Sequence, residues 1–520
     1  MDRQGRLPLI LLVTVGVAVY LNSFSVPFLF DDFYHIVENP RIRDLLNPVT
    51  VLTSTTRPVV ALTLAVNYAL GGLDVFGYHL FNLGVHLLAA LTLFGVIRRT
   101  LLSERLKKQT GDQATELALV ASLLWLVHPL QTESVTYLIQ RGESLMGLFY
   151  LLTLYCVIRG RHGLSVLCCA LGMLAKPVMV TAPAVLLVYD RIFLSSSWKE
   201  LFRKRGKLYL GLAAAWLALP VVLIGGAQEY QGLVGMHLQK VSPSAYLWTQ
   251  PGVILHYLRL SFWPHPLVLD YQWPIASGFK QILIPATAVL GLLALTAWGL
   301  RRHPAAGFLG IWFFGILAPT SSFLPVVDPA FEHRMYLPLA AVILAFLAGL
   351  RFLLGRRLLF WAVPLALIPL LTLATVRRNE AYGDPVLFWQ EEVSGRPGNA
   401  RACVNLGAAL QAAGRSSEAA DAFRSALAIR PDFSDAHNNL GYLLLLQGKP
   451  EEAYPHYQEA LRLSPNSSMA HKGMGMTLQK MGRMEEAAAE YAEALRLNPV
   501  FEDARTQLDL IRKKNNPRSP

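Results

Sequence analysis

The sequence predicts an all-α protein in two parts: a polytopic bundle of about eleven membrane helices, then a solenoid of stacked helical hairpins. Three observations carry this. Of 520 residues, 53% are hydrophobic and 16% charged, whereas soluble domains carry about a quarter charged residues. Runs such as 281–300 and 358–376 are long enough to cross a bilayer. Beyond Arg377 the hydrophobicity falls, and a repeat of period 34 begins.

At the start, Arg3 and Arg6 precede an apolar run over 7–30 with no small-x-small cleavage site, so an uncleaved first span is expected. It ends in Phe28-Leu29-Phe30, and the acidic pair Asp31-Asp32 stands just past it. Further spans are expected near 77–97, 116–130, 143–158, 208–226, 281–300, 305–319, 338–353 and 358–376. The stretch 164–190 is too short for two ordinary spans and reads as two short helices broken at Lys176-Pro177. The segment 227–280 reads as a long external stretch with interfacial helices, with room for one span pair.

Basic clusters at Arg98–Lys108, Arg159–His162, Arg191–Lys207, Arg301–His303 and Arg351–Arg357 set the sidedness. Positively charged loops stay in the cytoplasm. That puts the N-terminus inside, and Asp31-Asp32 and the repeats on the same outer side. The formal net charge of +12 is therefore explained by topology, and no nucleic-acid partner is expected. Of the four cysteines, Cys156, Cys168 and Cys169 lie in apolar segments and Cys403 in the repeats, so no disulfide framework is indicated.

The repeats align closely. Gly414, Gly448 and Gly482 recur, each followed by Glu-Ala at Glu418-Ala419, Glu452-Ala453 and Glu486-Ala487. Leu406-Gly407, Leu440-Gly441 and Met474-Gly475 align, as do Phe423, Tyr457 and Tyr491, and Pro397, Pro431, Pro465 and Pro499. Period and residue set match the tetratricopeptide repeat. Each unit is a pair of antiparallel helices, with proline ending the second. The expected division is a membrane domain over 1–383, a half-repeat and linker over 384–399, three repeats over 400–501, and a capping helix with tail over 502–520. Such stacks present a concave face for protein partners, where Asn405, Asn438, Asn439 and Lys472 are the candidate acceptor-binding residues.

Polar residues converge in the outward-facing segments. The first loop holds Asp31, Asp32, His35, Glu38, Asn39, Arg41 and Arg57; the second holds His128, Gln131, Glu133, Gln140, Arg141 and Glu143. Lys176 and the run Asp328, Glu332, His333, Arg334, Tyr336 complete the set. Two adjacent carboxylates repel each other and need a cation, a metal or a raised pKa. Carboxylates and cations facing one cleft suggest group transfer from a lipid-linked phosphate. No cluster has metal-ligand spacing, so no resident cofactor or metal is assigned, although the aspartates near His35 and His128 leave room for a divalent cation.

Specific runs carry a resemblance. They are Phe28–Asn39 around Asp31-Asp32-Phe-Tyr-His35, Arg57-Pro58 through Thr63, Asn67-Tyr68, Gly77–His86, His128-Pro129-Leu-Gln-Thr-Glu133, Lys176-Pro177, and Glu332-His333-Arg334-Met-Tyr336-Leu-Pro338. This pattern resembles the transmembrane, TPR-containing protein O-mannosyltransferases over nearly the whole chain, with a repeat array shorter than in the animal members, as in a bacterial relative. That family is similar to the GT-C glycosyltransferases. The resemblance implies a polyprenyl-phosphate sugar donor, mannose, transferred with inversion to a Ser or Thr hydroxyl of a protein outside the cytoplasm, at a bacterial inner membrane. It implies Asp31 or Asp32 as general base. Arg141, Lys176 and Arg334 are then candidates for the donor phosphate, Glu133 for a second carboxylate, and His128, His333, Tyr336 and Arg57 for substrate contacts.

Plainer roles stand beside these. For the acidic pair the plainer role is a helix cap or interfacial turn, which its membrane-edge position and motif disfavour. Glu133 serves as a cap, Lys176 as a headgroup-reaching side chain, and Arg141 as a partner of Glu143 or Glu133. Glu332-His333-Arg334 serves as a charge-paired loop. His79 and His86, seven residues apart on one helical face, read as bundle hydrogen bonds before metal ligands. Two other functions remain compatible with the sequence: transfer to a lipid or glycan acceptor, and a non-catalytic membrane-anchored scaffold.

Overall fold

The computed structural model describes residues 3–45, 47–53, 55–220, 241–326, 328–355 and 358–515. Every regular element among them is helical. The chain divides into two compact units, the first ending at Asp384 and the second continuing from Pro385.

In the first unit, five helices are long and apolar enough to cross a membrane: Arg6–Ser23, Val75–Leu101, Leu138–Ile158, Phe279–Arg302 and Leu358–Gly383. A sixth span results if the bent pair Lys107–Leu126 and Pro129–Val135 is counted as one. Four shorter apolar helices accompany them: Pro58–Gly71, His162–Ala175, Pro304–Leu317 and Pro338–Leu354. The protein is a multi-pass membrane protein by this measure. Small residues let its helices approach closely. A Cβ on Gly307 would collide with the backbone of Leu300, and one on Gly147 would lie 2.5 Å from the Tyr336 ring. Helix ends follow ordinary chemistry. Asp74 caps the Val75 helix by accepting from the Phe76 N–H, and Arg98 and Arg99 stand in its last turn, where cations favour the dipole.

Several boundaries depart from the apolar pattern. The first helix stops at Tyr20, followed by a single turn over Leu21–Ser23. Pro27 cannot donate to a helix, and the apolar residues after Ser23 fold inward instead, with Val26 and Leu29 buried. The acidic pair is thus carried on a packed loop, not on a helix end. The span expected over 116–130 breaks after Leu126 and bends by 59° at His128-Pro129. The last helix runs on to Gly383, so that Asn379 is buried within it; its amide accepts from the Thr136 hydroxyl and donates to the Val19 carbonyl. Two helices, His162–Ala175 and Ala182–Phe193, flank the break at Lys176-Pro177. Within 208–226, the Trp198–Ala214 helix and a turn over Ala215–Ala218 are seen, and 221–226 lies outside the described residues. Of 227–280, the part to residue 240 also lies outside them; beyond it stand the Pro243–Phe262 helix and irregular chain.

The second unit stacks three helical hairpins: Ala400–Ala412 with Ser416–Ile429, Ser434–Leu446 with Pro450–Leu463, and Ser468–Lys480 with Met484–Leu497. Helices Pro385–Gly395 and Glu502–Asn515 flank the stack. Gly414, Gly448 and Gly482 turn each hairpin at φ of 76°, 75° and 81°, a region that favours glycine. Each hairpin closes an aromatic ring over a glycine. Phe423 lies against Gly407, Tyr457 against Gly441 and Tyr491 against Gly475, with Ala419, Ala453 and Ala487 fully buried beside them.

Candidate functional site

Within the first unit the acidic pair splits into two roles. Asp31 is exposed, and its backbone N–H donates to the Tyr137 hydroxyl at 2.9 Å. Asp32 is buried, and its two oxygens accept from different amides: Leu29 N–H at 3.1 Å and Ile139 N–H at 2.8 Å. Burial outweighs those bonds and pushes the Asp32 carboxyl up to about 7, with Asp31 adding to the rise and Arg141 opposing it. The loop delivering the pair is held from behind, where the His79 ring nitrogen meets the Val26 carbonyl at 2.9 Å. The Asn82 amide holds the Val135 and Leu138 carbonyls on the facing turn. Tyr137 stands between three acids. Burial first, then the charge of Asp31, Asp32 and Glu133, raises its hydroxyl well above the ordinary phenol range.

Glu133, on the short helix before Tyr137, meets the loop that carries His333. Its carboxylate accepts from the His333 backbone N–H at 2.8 Å and meets the His333 Nδ1 at 2.6 Å. Burial, then the positive charge of Lys176, Arg334 and Arg57, holds the His333 imidazole well below its ordinary value. The Glu133 carboxylate is the direct partner of the ring. The Lys176 ammonium pairs with Glu143 at 2.5 Å, with 11% and 3% of the two side chains exposed. Arg57 runs past Gly142, whose added Cβ would lie 3.8 Å both from the Arg57 Cδ and from the Ala175 carbonyl oxygen. Arg57, the start of the Arg141–Ile158 helix and Lys176 are therefore neighbours.

Other sequence-chosen residues are engaged within the fold. Arg141 is fully buried; it donates to Asn67 at 2.6 Å and to the Tyr78 carbonyl at 3.3 Å, over the Phe81 and Tyr78 rings. The pairing of Arg141 with Glu143 or Glu133 is replaced by these contacts, and Lys176 holds Glu143 instead. Both His128 nitrogens serve the backbone: Nδ1 accepts from the Leu130 N–H and Nε2 meets the Ser261 carbonyl. Tyr336 is core, its hydroxyl against His86 and its carbonyl accepting from Trp125. Arg334 donates to the Pro329 and Asp328 carbonyls, both at 2.6 Å. Glu332 accepts from the Val268 N–H and the Tyr271 hydroxyl. Both histidines of the Val75 helix, His79 and His86, are hydrogen-bonded in the bundle. Among the described residues, no three His, Cys, Asp or Glu side chains gather as metal ligands.

The sequence reading passes over Tyr137, and it includes Asn67 and Asn82 in family-like runs without giving either a role. The first closes the acidic site and the others brace it. Polar side chains in apolar surroundings were the available signal.

In the second unit, the Asn438 amide donates to Asn439 at 3.4 Å, and Asn405 is half-buried. Lys472 pairs with Asp503 at 2.9 Å and lies over the Phe501 ring.

Comparison with known proteins adds family context. Tetratricopeptide-repeat family models match residues 404–468 and 444–508. The chain is 32% identical over 250 residues to the mouse protein O-mannosyl-transferase TMTC2, a match covering 42% of this chain and 28% of that protein. It is 23% identical over 485 residues to mouse TMTC3, covering 81% of this chain and 51% of the relative. Against human TMTC1 it is 26% identical over 503 residues, covering 82% and 55%. The matched regions thus span between about a quarter and about half of these relatives.

Proposed function

The chain is a relative of the TMTC protein O-mannosyl-transferases, and we propose that it transfers mannose from a polyprenyl phosphate to a Ser or Thr hydroxyl of a protein outside the cytoplasm. The observation carrying this reading is that one unit holds both halves of such a site: an exposed carboxylate at Asp31, and Arg57 beside the buried Lys176–Glu143 pair.

In this reading Asp31 is the general base. It takes the proton of the acceptor hydroxyl while the new C–O bond forms at the sugar's anomeric carbon. The bond from that carbon to the donor phosphate oxygen breaks on the opposite face, which inverts the centre. The electron pair leaves on the lipid phosphate, where Lys176 and Arg57 meet the growing charge. Lys176 exchanges Glu143 for phosphate in that step. Asp32 anchors the loop, Glu133 fixes His333, and Arg334 adds charge while shaping its own loop. Arg141, His128 and Tyr336 act as braces rather than substrate contacts.

We read the path as about eleven spans with the basic loops in the cytoplasm; on that path Asp31 and the repeats lie outside the cytoplasm of a bacterial inner membrane. The repeats select the acceptor through the faces bearing Asn405, Asn438, Asn439 and Lys472.

The test is transfer of labelled mannose from mannosyl-phosphoryl polyprenol to Ser/Thr-rich peptides by the full chain in nanodiscs. Asp31→Asn is expected to lower kcat by about 10²-fold or more. Transfer at the wild-type rate by that variant would remove Asp31 from the chemistry.

A further inference from the structure

We infer that Tyr137 is a positioning residue that, with the Ile139 amide, holds the acidic pair in register for proton transfer; this rests on the reading of Asp31 as base. The loop carrying the pair does not hold that shape unaided. Phe30 sits at φ 46°, a left-handed conformation that costs a non-glycine residue about 1 kcal/mol or more. A backbone in such a state persists where its surroundings fix it on several sides.

Four contacts do so here. The His79 ring holds the Val26 carbonyl before the strained residue. The Asp32 carboxylate closes back onto the Leu29 amide. Its other oxygen takes the Ile139 N–H from the facing turn. The Asp31 N–H, the first after Phe30, donates to the Tyr137 hydroxyl. Tyr137 is 2% exposed, and Asn82 of the Val75 helix holds the carbonyls on either side of its turn. The facing turn is therefore stiff, and it grips both aspartates from residues more than a hundred positions away. Tyr137 thus fixes the backbone of the exposed Asp31, and Ile139 fixes the neighbouring Asp32, so the two together set the position from which the Asp31 side chain extends.

Tyr137→Phe removes one oxygen and keeps the ring. In the nanodisc assay, with mannosyl-phosphoryl polyprenol as the varied donor, kcat should fall about tenfold, a fraction of what a positioned acid–base group contributes. The donor KM should stay within about twofold, because binding is untouched. The unfolding temperature should match wild type. Asp31→Asn runs beside it. If Asp31→Asn loses transfer and Tyr137→Phe keeps full kcat, the positioning role is overturned while the base stands. If Asp31→Asn keeps transfer, the base reading itself falls. A Tyr137→Phe variant whose kcat and unfolding temperature drop together marks Tyr137 as ordinary core and also overturns the inference.

Discussion

Asp32 is a carboxylate removed from water with each oxygen engaged by an amide. Its carboxyl rises from 3.8 to about 7 on folding, chiefly through burial. The sign follows. Below 3.8 both states hold the proton. Between 3.8 and about 7 the unfolded chain releases it and the folded one keeps it, so folding is increasingly opposed as pH rises through that window. Asp32→Asn should flatten the pH dependence of the unfolding temperature across this range, as differential scanning fluorimetry in detergent would register. The Lys176–Glu143 pair behaves differently. Glu143→Gln strands a buried ammonium and should destabilise the fold by about 3–5 kcal/mol, whereas Lys176→Met together with Glu143→Leu should cost far less. Urea titration of wild type and the two variants separates the two outcomes. At this scale the sequence marks which side chains are costly but not whom they meet. Asp31 and Asp32 were visible as two carboxylates at an apolar edge. Their partner Tyr137 and the Glu133–His333 contact span 106 and 200 positions, and no local pattern encodes such pairings. Arg141 stood out as a cation in an apolar stretch, but its partner Asn67 lies in another helix, beyond any local pattern.

Elements were easier to read where periodicity is strong. The hairpins of the second unit follow directly from glycine, alanine and aromatic spacing, because each helix must bury one stripe against the next. Gly407→Leu should break the first hairpin, since any side chain there enters the Phe423 ring. Overpacking of this kind costs about 1–3 kcal/mol, and limited proteolysis of the full chain should then cut first between residues 400 and 429. In the membrane part, continuous apolarity hides where a helix stops. Phe24 to Leu29 is as hydrophobic as the helix before it, yet Pro27 and the pull of the core fold it into a loop. The bend at His128-Pro129 was concealed the same way. The extension of the last helix to Gly383 was hidden for the opposite reason. Arg377, Arg378, Asn379 and Glu380 read as an exit from the bilayer, although Asn379 is tied back to Val19 and Thr136.

For the whole molecule, the two units invite separate tests of one reading. A chain ending at Asp384 should retain cleavage of mannosyl-phosphoryl polyprenol by water, while peptide selection should disappear; product analysis by mass spectrometry distinguishes them. Thiol labelling tests the path through the bilayer. In a background lacking the four native cysteines, Cys at Lys199 should be reached only from the cytoplasmic side and Cys at Asn39 only from the other.

The helix leading to Lys176 has a final consequence. His162–Ala175 has 14 residues, a length of about 21 Å, against a hydrocarbon layer of about 30 Å. A charged side chain at the end of so short a helix must either sit at hydrocarbon depth or draw the lipid surface down to meet it. A dimple of thinned bilayer at this point would lower the phosphate of a membrane-dissolved donor to the level of the ammonium. The turnover rate would then depend on the acyl length of the surrounding lipid, highest in thin bilayers and declining as the dimple becomes costlier to maintain.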